Sequence, residues 1–93
     1  MEGNIRVYII GVFGNPIQYI YPLKSKQEQV SIATILKSAC ESHRVSYSEI
    51  LQGVKGGQFV ILASGYSVTD AQLEVKTVRD GDEILVTVLP IGG

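Results

Sequence analysis

The run Asp80-Gly81-Asp82-Glu83-Ile84-Leu85-Val86-Thr87-Val88-Leu89-Pro90-Ile91-Gly92-Gly93 decides how this chain folds. Asp80-Gly81 reads as a tight turn, because glycine accepts the positive φ such turns use and aspartate can bond its own backbone. Glu83 to Leu89 is rich in β-branched and aliphatic residues and reads as a strand. Apolar side chains occupy both phases of its alternation, the pattern of a central strand covered on both faces. Pro90 ends it, since proline has no N–H to continue a ladder. Ile91 and two glycines follow.

Upstream, Ile5-Arg6-Val7-Tyr8-Ile9-Ile10 predicts a first strand and Ile17-Gln18-Tyr19-Ile20-Tyr21 a second, ended by Pro22. Gly11 to Pro16 between them is turn chemistry, too short for a parallel crossover, so the pair is an antiparallel hairpin. Lys24 to Gln29 is polar and predicts a solvated loop. Ser31 stands where an N-cap belongs, and Ile32, Ile35, Leu36, Ala39, Cys40 and His43 follow at helical spacing. That helix should end near Arg44, with His43 and Arg44 at the negative pole of its dipole. Ser48 to Gly53 predicts a short helical turn stopped by Gly53. Beyond Gly56-Gly57, Phe59 to Ala63 reads as a buried strand. Ser64-Gly65 is a two-residue turn from which Tyr66-Ser67-Val68 pairs back, and Gln72 to Arg79 is irregular or weakly extended.

Composition narrows the function classes. Ninety-three residues make one domain, near the lower size for unaided folding. A 45% hydrophobic and 18% charged composition is that of an ordinary globular chain. A net charge of −1 supplies no field for nucleic acid or an anionic membrane, so neither is expected as a partner. No run approaches the roughly 18 apolar residues of a membrane span, and the N-terminus lacks a signal-peptide pattern. A single cysteine excludes an internal disulfide and makes a reducing cytoplasm the expected location. One cysteine with one histidine does not suit a zinc site, which usually takes four ligands, so no metal is expected.

A hairpin, a helix, short strands and a final central strand pack as a mixed sheet with one main helix on one face. With the last strand parallel to the first, this is an α+β architecture, the β-grasp or ubiquitin-like arrangement. The Ser31-Ile32 helix start, the buried strand with its glycine turn, Asp80-Gly81-Asp82-Glu83-Ile84, Pro90 and Gly92-Gly93 together resemble the MoaD/ThiS sulfur carriers, closest to the MoaD branch. That pattern commonly carries two prolines and a longer spacer before Gly-Gly. Here Leu89 takes one proline's place and Ile91 alone separates Pro90 from Gly92.

The resemblance implies a β-grasp domain over residues 1–89 and an exposed tail over 90–93. It implies a carrier or co-substrate, not an enzyme, although it could serve as the small subunit of a molybdopterin synthase-like complex. Gly93 would be adenylated by a ubiquitin-activating-like adenylyltransferase, which uses ATP; the carrier itself would bind no cofactor. The resulting thiocarboxylate would deliver sulfur to the large subunit of molybdopterin synthase or an analogue. A carboxylate is a poor electrophile, hence the adenylate. Gly92 and Gly93 are slim enough to thread a narrow channel, and Pro90 stiffens the exit. Pro90, Ile91, Phe59 and Ile61 are the candidate partner-binding residues. Strand, proline and Gly-Gly coincide with the last residue, which favours a native terminus over a chance end inside a longer protein.

Two other functions use the same sequence: a modifier joined through Gly93 to target lysines, and an interaction module without tail chemistry. Cys40 and His43 are read as structural, as packing and helix-end residues. Asp80, Asp82 and Glu83 are read as a turn and a solvated acidic corner.

Overall fold

Alternation decides the first strand. Ile5, Val7 and Ile9 are buried while Asn4, Arg6 and Ile10 are exposed, so β1 (Gly3–Ile10) turns one aliphatic face to the core. Burying each such side chain stabilises the fold by roughly 1.5–3 kcal/mol. The computed structural model describes residues 3–89. In that range β1 pairs antiparallel with β2 (Ile17–Leu23) and parallel with the last strand, β7 (Glu83–Val88). On its other side β7 pairs antiparallel with β4 (Phe59–Ala63), which holds β5 (Tyr66–Val68). The sheet order is β2-β1-β7-β4-β5, with the closing strand in the middle, as its apolar sequence predicts. This is the β-grasp fold.

The strand with Pro22 departs from the expectation. β2 runs through Pro22 to Leu23. β2 is an edge strand, and Pro22 stands opposite Asn4. The N–H of Asn4 is bonded to Asp80 Oδ1 at 2.9 Å, and its carbonyl accepts from Gly81 N–H at 3.2 Å. Asn4 therefore offers Pro22 no ladder bond to miss.

Helix α1 (Ile32–Ser42) begins at Ser31, whose Oγ accepts from Thr34 N–H at 3.1 Å. Two further free amides find partners in the later chain: Ile32 N–H donates to Lys76 O and Ala33 N–H to Leu73 O. The weakly extended segment Gln72 to Arg79 follows a short 3-10 turn (Asp70–Gln72) and holds β6 (Thr77–Val78), which pairs with β3 (Val30–Ser31). Arg44 ends the helical run with φ +57, and Val45 N–H closes back on Cys40 O.

A second helix is longer than the expected turn. α2 (Tyr47–Lys55) is capped by Ser46, and Gly53 lies inside it rather than stopping it. A Cβ at position 53 would overlap the ring of Phe59, so glycine there serves close packing of helix on strand. The mixed sheet thus carries the main helix α1 and, where a short turn was expected, a nine-residue second helix. Ile32, Ile35, Leu36, Ala39 and Cys40 of α1 and Ile50 of α2 join Ile5, Val7, Ile9, Ile61, Ile84 and Val86 in one core.

Candidate functional site

β7 is anchored on both sides, and its far end is the point from which the chain continues. Ile10 stands opposite Thr87, Phe59 opposite Val88, and Leu89 N–H donates to Gln58 O at 3.0 Å. The hairpin turn that starts at Gly11 and the Gly56–Gln58 loop therefore flank this end. A Cβ on Gly11 would lie 3.6 Å from Val88. The four residues read as a threading tail, Pro90, Ile91, Gly92 and Gly93, lie outside the described residues.

Ile61 requires correction as a partner-surface residue, and Phe59 is half-buried. Ile61 is 0% exposed and part of the core. Phe59 shares its phase of β4 and packs on α2 over Gly53. The strand is covered on the helix side, and period-2 geometry puts both residues on that side.

The uncovered face belongs to the other phase. Register places Tyr8 opposite Leu85, Leu62 opposite Leu85, Ile10 and Val60 opposite Thr87, and Ser67 opposite Leu62. These side chains are exposed or half-buried, with Ile10 at 46%. Tyr8, Ile10, Leu62 and Leu85, with Ser64 and Gly65 at the rim, enclose a shallow and largely apolar depression of about 350 Å³. A second depression of about 280 Å³ belongs largely to the helix side, where Val54 of α2, Gly57, Phe59 and Val68 meet Val60, Thr69 and Leu89. Arg6 and Glu83 close the far side with a 3.1 Å ion pair, about half exposed at each partner. Such a pair contributes roughly 0–1 kcal/mol. Sequence reading missed this face. Arg6, polar among aliphatic neighbours, was the signal that the Arg6-Tyr8-Ile10 phase points outward.

The acidic corner is a turn that ties strands together. Asp82 Oδ1 accepts from Ser64 Oγ and Oδ2 from Arg79 N–H, both at 2.9 Å, while Asp80 holds the start of β1. Among the described residues no three His, Cys, Asp or Glu side chains gather to hold a metal ion. Cys40 is buried, and burial pushes its thiol from 9.0 up to about 11, so it is protonated and unreactive at neutral pH. His43 is exposed at the end of α1. Its Nε2 lies 3.2 Å from Gln18 O and its ring meets Tyr19 edge-on at 6.4 Å, tying helix to hairpin.

A five-stranded mixed sheet grasping helices on one face, with its middle strand leading to the chain's last residues, defines a ubiquitin-like fold. No family model matches the sequence, and no curated protein does. Among solved structures the chain is similar to the Haloferax volcanii HVO 2177 protein, determined in solution, at 15% identity and a TM-score of 0.59, covering 99% of this chain and 88% of that one. It is also similar to Caldiarchaeum subterraneum ubiquitin, at 13% identity and a TM-score of 0.50 over 100% of both chains. At these identities the likeness establishes the fold. Among the described residues no helix is long and apolar enough to cross a membrane.

Proposed function

We propose that the chain is a carrier of an activated terminal acyl group, in which Gly93 becomes a thiocarboxylate that donates sulfur. The observation that supports this most is positional: Pro90-Ile91-Gly92-Gly93 follows directly on the middle strand of a β-grasp sheet. The carboxylate of Gly93 attacks the α-phosphorus of ATP within an adenylyltransferase and expels pyrophosphate. A sulfide-level nucleophile then displaces AMP, leaving the thiocarboxylate. The chain's own contribution is to present the group on a fixed strand through residues slim enough to enter an enclosed site. Resemblance of the Asp80-to-Gly93 ending to the MoaD branch makes the molybdenum or tungsten cofactor the proposed destination, with the large subunit of molybdopterin synthase as acceptor.

A second reading is favoured by one finding, the likeness to a protein named as a ubiquitin. In it a lysine amine of a target protein takes the activated Gly93 acyl group as an isopeptide. One incubation separates the readings. The full chain, ATP, a sulfide source and the host's ubiquitin-activating-like enzyme should yield an intact mass raised by exchange of one oxygen for sulfur. Tail remnants on cellular lysines without that exchange would favour the modifier. Neither product, together with unchanged biological activity after deletion of Gly92-Gly93, would leave an interaction module.

A further inference from the structure

We infer that the C-terminal cap of α2 positions the Gly93 acyl group: the Gly57-Gln58 corner holds the root of the tail and so fixes where the reacting carboxylate is presented. The inference rests on the reading of Gly93 as the activated group. Gly57 leaves α2 at φ +76, the left-handed conformation that glycine accepts without strain. Its N–H donates to Val54 O at 3.2 Å and that of Gln58 to Gly53 O at 2.8 Å, the paired bonds that close a helix on a left-handed glycine. With its N–H turned back into α2, Gln58 offers its carbonyl to the end of β7 and accepts from Leu89 N–H at 3.0 Å. That bond lies beyond the Phe59–Val88 pair, one residue before Pro90.

Leu89 is thereby fixed on both sides of its backbone. A following proline keeps the residue before it extended, and the bond to Gln58 fixes its N–H. A proline at 89 could not make that bond, so the leucine that takes a proline's place in this ending is what admits the clamp. Four residues follow Leu89, and even fully extended they span at most about 14 Å. Over so short a reach, the direction of the root decides whether Gly93 meets an enclosed ATP site. Opening the clamp adds Leu89 to the residues that must be ordered on insertion, which lowers the effective concentration of the carboxylate in that site. No atom lies within 4 Å of a Cβ built on Gly57, so glycine serves the conformation of the corner and not its packing.

The test is a graded series at position 57 in the full chain, read in two ways. Asparagine tolerates the left-handed conformation, alanine is strained in it, and valine is strained more. Gly57→Asn, Gly57→Ala and Gly57→Val should therefore speed hydrogen exchange of the Leu89 amide in that order. In step with it, kcat/KM for pyrophosphate incorporation into ATP by the host's adenylyltransferase should fall, roughly fivefold or more in Gly57→Val. If Gly57→Val fails to fold, the asparagine and alanine variants carry the same comparison. Gly81→Val is the control, because Gly81 has φ +89 and equally open surroundings but stands at the other end of β7. It should lose similar stability with kcat/KM little changed. A kcat/KM that does not track Leu89 exchange, a Leu89 amide that no variant at 57 frees, or an equal loss in Gly81→Val overturns the positioning role and leaves Gly93 activation standing. An original chain that supports no pyrophosphate incorporation removes Gly93 activation, and the positioning role with it.

Discussion

Gly53 shows how one residue can be read in two ways. In a helix interior, Gly→Ala ordinarily stabilises by about 1 kcal/mol. Here the new Cβ would overlap the Phe59 ring, and forced repacking of this kind costs roughly 1–3 kcal/mol. Gly53→Ala should therefore lower the urea midpoint, and Phe59→Leu in the same chain should recover part of the loss. A stabilised Gly53→Ala would contradict this packing. Cys40 gives a pH signature. Its folded-state pKa lies above that of the unfolded chain, so its contribution is complete below pH 9.0 and lost as pH rises through about 11. Stability should fall across that window, less so in Cys40→Ala, and a thiol reagent at pH 8 should label the native protein only as fast as it opens. Rapid labelling of native protein would place Cys40 at the surface.

At the level of elements, the sequence was most legible where local chemistry and packing agree. Ser31 is read as an N-cap from its type and position, and its Oγ accepts from Thr34 N–H. Ser31→Ala should cost about 1 kcal/mol in denaturant unfolding, and no measurable change would contradict the cap. The β1–β2 hairpin, α1 and the Ser64-Gly65 turn follow from the same kind of signal. Ser64 at φ +48 and Gly65 at φ +86 form the paired positive-φ turn that suits a two-residue hairpin. The misread boundaries depended on distant residues. Pro22 is tolerated because Asn4 bonds to the Asp80–Gly81 turn, and Gly53 continues α2 because of a ring on β4. β3 and β6 exist only as partners for each other. Nothing within either two-residue stretch announces it.

For the molecule as a whole, the apolar Glu83-to-Leu89 run placed the last strand at the centre, and the fold followed from that placement. Ile84 is fully buried in this strand, so Ile84→Ala should cost about 2–5 kcal/mol and unfold the domain as one unit. A loss below 1 kcal/mol, as at a peripheral position, would contradict its central place. The candidate site was legible only in part. The tail residues could be named from sequence, but the adjoining face could not, because strand alternation supplies two phases and only the helices' position decides which is covered. Phe59 and Ile61 fell on the covered phase, while Tyr8, Ile10, Leu62 and Leu85 hold the open one. The most direct measurement of the proposed chemistry is fragment-resolved mass spectrometry of the full chain after incubation with ATP, sulfide and the host's adenylyltransferase. An oxygen-to-sulfur exchange confined to Gly93, and lost when Gly92-Gly93 is deleted, is the expected result. A chain that leaves the incubation with Gly93 unaltered, while a known substrate of the same enzyme is converted, would contradict it.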